Sequence, residues 1–143
     1  MGKTAVIYWS GTGNTEAMAD EIAGAVKASG GACELFNVSE ITVDQAAEYD
    51  NLVLGCPAMG AEVLEEGEFE PFFEELEGKL KGKNVALFGS YGWGDGEWMR
   101  TWQERVTDAG AELVGGEGVI ANEAPDEEAL EKCAELGRAV SAL

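Results

Sequence analysis

The sequence predicts a doubly wound α/β domain, a parallel sheet with helices on both faces. Short apolar runs alternate with amphipathic stretches along all 143 residues, the pattern of βαβ units. The apolar runs show no polar alternation, as expected of strands covered on both faces. The length suits one domain over residues 1–143, enough chain to bury a core, and no repeat, linker or low-complexity segment cuts it.

Residues 4–9 (TAVIYW) read as a buried strand rich in β-branched and aromatic side chains. Residues 14–29 read as a helix, with Met18, Ile22 and Val26 on one face and Gly30-Gly31 ending it. Residues 32–37 give a second strand of weaker signal, and 42–48 a short helix. Residues 51–55 (NLVLG) are a third strand, followed by a long acidic loop and a helix over about 69–80. Residues 84–89 (NVALFG) are a fourth strand, and 97–108 a helix carrying Trp98, Trp102 and Arg105. Residues 112–114 and 119–121 form a fifth, interrupted strand. Asp126 caps a last helix towards Leu143, with Pro125 just before it.

Composition removes several functions. The chain carries 28 acids against 9 bases, a formal charge of −19, and no histidine. Nine scattered bases make no nucleic-acid face and no basic membrane helix. Without histidine there is no histidine base and no His-ligated metal. Cys33, Cys56 and Cys133 are odd in number, far apart and form no CxxC pair. They argue against zinc, iron–sulfur and disulfide frameworks and suit a reducing cytosol. No signal-peptide pattern and no run of about 20 apolar residues is present. A cytoplasmic protein with a very negative surface is the expectation.

Ligands of doubly wound sheets bind beyond the carboxyl ends of the strands. After the first strand stand Ser10, Gly11, Thr12, Gly13, Asn14 and Thr15. Glycines let the backbone curl around a ligand, the helix start offers unpaired N–H groups, and hydroxyls add donors. This is a phosphate cradle without a cation. It has no lysine, so it is not an NTPase loop, and it suits a resident phosphomonoester better than a reacting triphosphate. An ordinary strand-to-helix turn with a hydroxyl cap is the plainer reading of this loop alone.

The third strand leads into Gly55-Cys56-Pro57-Ala58-Met59-Gly60-Ala61-Glu62, and the fourth into Gly89-Ser90-Tyr91-Gly92-Trp93-Gly94-Asp95-Gly96. Both loops should open on the edge of the cradle. A thioether from Met59 and an indole from Trp93 can sandwich a flat ring, and the glycines around Trp93 expose backbone N–H groups. Taken alone, Met59 reads as core filler, Cys56 as a buried small residue rather than a nucleophile, and Asp95 and Glu97 as a helix start.

Together, Trp9-Ser-Gly-Thr-Gly-Asn-Thr15, Gly55-Cys-Pro-Ala-Met-Gly60 and Gly89-Ser-Tyr-Gly-Trp-Gly-Asp95 resemble the short-chain flavodoxins, closest to those of anaerobic bacteria. Residues 68–73 (EFEPFF) and 121–126 (ANEAPD) extend the resemblance along essentially the whole chain. The few residues between Val114 and Val119 leave no room for the extra loop of the long-chain subgroup. The resemblance implies a flavodoxin-like five-stranded sheet of order 2-1-3-4-5 and one non-covalently bound FMN that carries single electrons at low potential. It implies a phosphate on Ser10 to Thr15 and a ring between Met59 and Trp93. The Pro57-Ala58 and Ser90-Tyr91 segments would line the site. Backbone N–H groups near Gly92, Trp93 and Gly94 would bond the N1/O2 edge, Glu62 would bond N3–H, and the Gly60 peptide would turn over on reduction. It also implies a monomer that meets basic patches on redox enzymes such as ferredoxin-dependent oxidoreductases, with no nucleic acid and no membrane.

In a turn over residues 59–62, Gly60 suits type II′, whereas Ala61 is disfavoured at the positive φ of type II by about 1 kcal/mol. That bias should raise the first one-electron potential. Glu62, Glu65, Glu66, Glu68, Glu70, Glu74, Glu75 and Glu77 include no base among them. They should disfavour a reduced, anionic ring and lower the second potential. They also keep a solvated helix face soluble. An FMN-dependent NAD(P)H or quinone reductase is the alternative, and it needs space over a ring face. A phospho-receiver domain lacks its required aspartate here, where Cys56-Pro57 stands, and nothing in the sequence points to a vestigial site.

Overall fold

The computed structural model describes residues 3–59, 63–92 and 94–143. In chain order these form β1 (Thr4–Tyr8), α1 (Asn14–Ala28), β2 (Cys33–Asn37), a 3-10 turn (Val38–Glu40), α2 (Val43–Ala46) and β3 (Asn51–Gly55). There follow α3 (Phe69–Glu77), β4 (Asn84–Tyr91), α4 (Glu97–Asp108), β5 (Glu112–Leu113), β6 (Val119–Asn122) and α5 (Glu127–Ser141). The sheet runs β2-β1-β3-β4-β5, all pairs parallel, with β6 also beside β4. β5 and β6 lie end to end as the two parts of the interrupted fifth strand, against Asn84-Val85 and Phe88 to Tyr91 respectively.

Two cores explain the unbroken apolar strands. Ala5, Ile7, Leu52, Leu54, Val85 and Leu87 face the side covered by α3 and α4. Val6, Tyr8, Val53, Ala86 and Phe88 face α1 and α5. Successive side chains point to opposite faces, and here both faces are covered.

Local chemistry sets most boundaries. Thr42 Oγ1 accepts the Gln45 N–H at 3.1 Å, and Gln45 Oε1 accepts the Thr42 N–H at 3.0 Å. This reciprocal capping box opens the one-turn α2. Asp126 caps α5 by accepting the Ala129 N–H at 2.8 Å. Two ends differ from expectation. α3 stops at Glu77, with Gly78 at its C-cap, instead of continuing to Leu80. β4 runs on to Tyr91 because β6 pairs with its last four residues, so Ser90 and Tyr91 belong to a strand end rather than a loop.

Past β3 the chain still follows β4: the Cys56 N–H donates to the Phe88 carbonyl at 3.2 Å and the Ala58 N–H to the Ser90 carbonyl at 3.0 Å. Only glycine fits at position 89. A Cβ there would lie 3.0 Å from the Cys56 carbonyl carbon, closer still to its oxygen, and 3.2 Å from the Trp98 ring.

Candidate functional site

The carboxyl ends of β1, β3 and β4 open on a cavity of about 400 Å³, within the range of roughly 300–1,000 Å³ of small-molecule sites. Its wall combines Trp9, Ser10, Gly11, Thr12, Asn14 and Thr15 with Pro57, Ala58, Met59, Ser90, Tyr91, Gly92 and Glu123. The three loops picked out along the sequence therefore meet. Gly13 and Gly94 do not line the cavity; both have positive φ, 94° and 89°, and turn the backbone behind it. Gly60, Ala61, Glu62 and Trp93 lie outside the described residues.

The cradle is built around one hydroxyl. Ser10 Oγ accepts the Gly13 N–H at 3.1 Å and the Glu16 N–H at 3.3 Å. With both lone pairs used, its own hydrogen is left to donate. Gly13 is the N-cap of α1 and makes no side-chain cap, so Ser10 reaches across the turn to take the third N–H of the helix. Thr15 Oγ1 and Ser90 Oγ, both buried, lie 3.1 Å apart and tie the start of α1 to the end of β4. No lysine or arginine is among the described residues of the wall.

Met59 is no core filler: it is 38% exposed and stands on the cavity wall. The Met59 N–H donates to the Val63 carbonyl at 2.8 Å, and the Val63 N–H returns to Met59 at 3.0 Å. This reciprocal pair is an antiparallel bridge between Met59 and Val63. The chain on either side of it is tied further down, where the Glu65 N–H donates to Cys56 Sγ at 3.3 Å and Trp98 Nε1–H to the Cys56 carbonyl at 3.1 Å. Burial pushes the Cys56 thiol well above the ordinary range, so it packs and accepts rather than reacts.

Two wall residues escaped the sequence reading. Trp9 ends the first apolar run, so its place beyond β1 was available in principle. Its indole Nε1–H donates to Glu68 Oε1 at 3.3 Å. Glu123 stood only within the 121–126 stretch of the resemblance, with no site role: among the described residues it is the non-glycine residue with positive φ, 57°, held by its N–H to the Tyr91 carbonyl at 2.7 Å. Such a conformation costs a bulky residue on the order of 1 kcal/mol.

The acidic run beside this bridge is not uniformly solvated. The Glu65 carboxylate accepts the N–H groups of Gly67, Glu68 and Phe69 at 2.7, 2.8 and 2.8 Å, capping α3. Burial pushes its pKa up, but the bonds from Phe69, Glu68 and Gly67 outweigh burial and hold it below the usual range. Glu70 and Glu77 are paired with Arg105 of α4. The base missing from the run in sequence thus arrives from another helix. On the cradle side, burial and then the hydrogen bond to Glu16 push the Tyr8 phenol up to about 12.

The flavodoxin family model matches residues 6–137. The chain belongs to the flavodoxin family. It is 54% identical over 136 residues to the flavodoxin of Megasphaera elsdenii, covering 95% of this chain and 96% of that one. With the flavodoxin of Clostridium beijerinckii it shares 52% over 136 residues, covering 95% and 97%. The solution structure of the two-electron reduced Megasphaera elsdenii flavodoxin superposes with a TM-score of 0.90 at 52% identity, covering 98% and 99%. Flavodoxins bind FMN and carry electrons at low potential, and they are carriers rather than enzymes with a substrate of their own. Nothing in these likenesses favours the reductase alternative.

The wall suits that cofactor. A hydroxyl-and-glycine cradle at a helix start matches a phosphate, and Trp9, Pro57, Ala58, Met59 and Tyr91 supply an apolar slot for a flat ring. No helix among the described residues is long and apolar enough to cross a membrane.

Proposed function

We propose that this chain works as a single domain in which Ser10, Thr12, Asn14 and Thr15 hold the FMN phosphate while Pro57, Ala58, Met59, Ser90, Tyr91 and Gly92 line the ring. When bound, FMN supplies the one-electron chemistry. The protein orients it, keeps water from one edge and sets the charge around it. Ser10 donates its free hydroxyl hydrogen to the phosphate, and the start of α1 adds N–H groups and a positive dipole end. The family resemblance supports placing Met59 and Trp93 on the two ring faces, the backbone near Gly92, Trp93 and Gly94 at its N1/O2 edge, Glu62 at N3–H, and the Gly60 peptide at N5.

The observation that carries this reading is a cavity whose polar end is hydroxyls and amides without a cation and whose other end is apolar. An excess of 28 acids over 9 bases supports docking to basic patches of redox enzymes, in fast and salt-sensitive encounters. It also supports a monomer, and the cysteine usage supports a cytoplasmic setting.

Titration of the cofactor-free protein with FMN and with riboflavin tests the assignment. FMN should bind more tightly. Ser10→Ala should weaken FMN about tenfold, on the order of 1.4 kcal/mol, and leave riboflavin almost unmoved. Equal affinity for the two flavins, or an equal loss for both, would remove the phosphate from this cradle.

A further inference from the structure

Arg105 lies outside the cavity, yet its side chain makes four hydrogen bonds to two carboxylates. Its Nη1 and Nη2 donate to the two oxygens of Glu70 at 2.8 Å each, and its Nε and Nη2 donate to Glu77 at 3.1 Å each. Its guanidinium carbon also stands 4.7 Å from the centre of the Phe73 ring. Its side chain is 26% exposed, and those of Glu70 and Glu77 are 29% and 28% exposed. A planar fork held by two carboxylates and a ring has one orientation, which a lysine cannot reproduce.

The contacts join two helices that leave the cavity loops. α3 follows the Met59–Val63 bridge, and α4 follows the loop after β4. From Arg105 the links run in a ring. Glu70 accepts from Arg105 and donates its N–H to the Glu65 carbonyl at 2.8 Å. Glu65 donates its N–H to Cys56 Sγ, and the Cys56 carbonyl accepts from Trp98, two helical turns before Arg105 on α4. Cys56 and Glu65, on either side of the bridge, sit inside this closed path.

On the reading of the cavity as the FMN site, we infer that Arg105 is a positioning residue: by locking α3 to α4 it fixes Cys56 and Glu65, and through them the Met59–Val63 bridge and the place of Met59 on the cavity wall. The alternative is that Arg105 matters only as a positive charge. Arg105→Lys separates the two, because it keeps the charge and loses the fork.

Amide hydrogen exchange of the cofactor-free protein and redox titration of the FMN-loaded protein make the test, on the parent, Arg105→Lys and Arg105→Met. Exchange at Met59 and Val63 should rise about tenfold in both variants, with the sheet amides of Val53 and Ala86 unmoved. The first one-electron potential should move by about 60 mV in both, the equivalent of the tenfold change in opening of the Met59–Val63 bridge. Unchanged exchange in both variants, exchange raised equally throughout the sheet, or a potential that moves in Arg105→Met alone would overturn the inference. Should Arg105→Met not fold, Glu77→Gln, which keeps the Glu70 fork, takes its place with a smaller shift of the same sign. If the parent itself fails to bind FMN or to titrate in one-electron steps, the FMN reading falls instead, independently of the variants.

Discussion

Replacing Gly89 by alanine tests how closely β3 and β4 must approach at the cavity floor. The new methyl would meet the Cys56 carbonyl carbon at 3.0 Å and the Trp98 ring at 3.2 Å, with the Cys56 oxygen nearer still. Neither neighbour is the loose end of a flexible side chain: one is backbone and the other is a fully buried tryptophan. The methyl therefore has to push the Cys56 peptide away from β4. That movement strains the bonds that Cys56 makes to Phe88 and Trp98 and tilts the following Pro57-Ala58-Met59 wall. Overpacking of this kind costs about 1–3 kcal/mol, and a wall displaced by the same strain should weaken FMN by about tenfold for each 1.4 kcal/mol transmitted.

Gly24→Ala is the matched control. Position 24 lies inside α1, and a Cβ there meets nothing within 4 Å. It should stabilise the protein by about 0.5–1 kcal/mol through backbone entropy alone. Urea unfolding of the cofactor-free variants reads the first effect, and quenching of FMN fluorescence reads the second. The reasoning is refuted if Gly89→Ala stays within about 0.5 kcal/mol of the parent with unchanged FMN affinity, or if both glycines respond with the same sign.

Trp98→Phe should cost about 1–3 kcal/mol, because it strands the buried Cys56 carbonyl; Trp102→Phe, whose Nε1 has no partner among the described residues, should lose clearly less. Equal losses in urea melts would show that ring volume, not the hydrogen bond, decides. Glu65→Ala should cost about 1–2 kcal/mol at pH 7 through the lost cap. Since the folded Glu65 carboxyl lies below the ordinary glutamate range, that contribution is complete above about pH 4.3 and fades as pH falls through the folded value. The parent-to-variant gap should therefore close in acid, and a gap that is constant with pH would contradict the cap. Ala61→Gly should lower the first one-electron potential by about 40 mV, the equivalent of about 1 kcal/mol. A potential that stays level or rises in redox titration would exclude the turn bias.

The elements were legible because their causes are local. The Met18, Ile22 and Val26 stripe, the unbroken NLVLG run and the Asp126 cap each depend on residues a few positions apart, and each produced the element expected of it. The cradle was legible for the same reason, since its wall residues Ser10, Gly11, Thr12, Asn14 and Thr15 all fall within one six-residue stretch. Boundaries slipped where a distant segment intervened, as when β6 extended β4 through Tyr91. Met59 illustrates the middle ground. Its type suggests core, its flanking glycine suggests a turn, and only the bridge to Val63 settles that it stands exposed on the cavity wall.

By itself the sequence determined the doubly wound class, the hydroxyl cradle, the meeting of the three loops and the excess of negative charge. Periodicity, glycine spacing and composition are properties of neighbouring residues or of the whole chain. Only the tertiary structure decided where that charge is relieved. Glu70 and Glu77 read as two more members of a base-free run, yet Arg105, 35 and 28 residues away, pairs with both and offsets one of their two charges. Cys56 likewise meets Trp98 across 42 residues. These pairs form because β3 and β4 are neighbours and send α3 and α4 to the same face of the sheet, a consequence of strand order that no local pattern encodes.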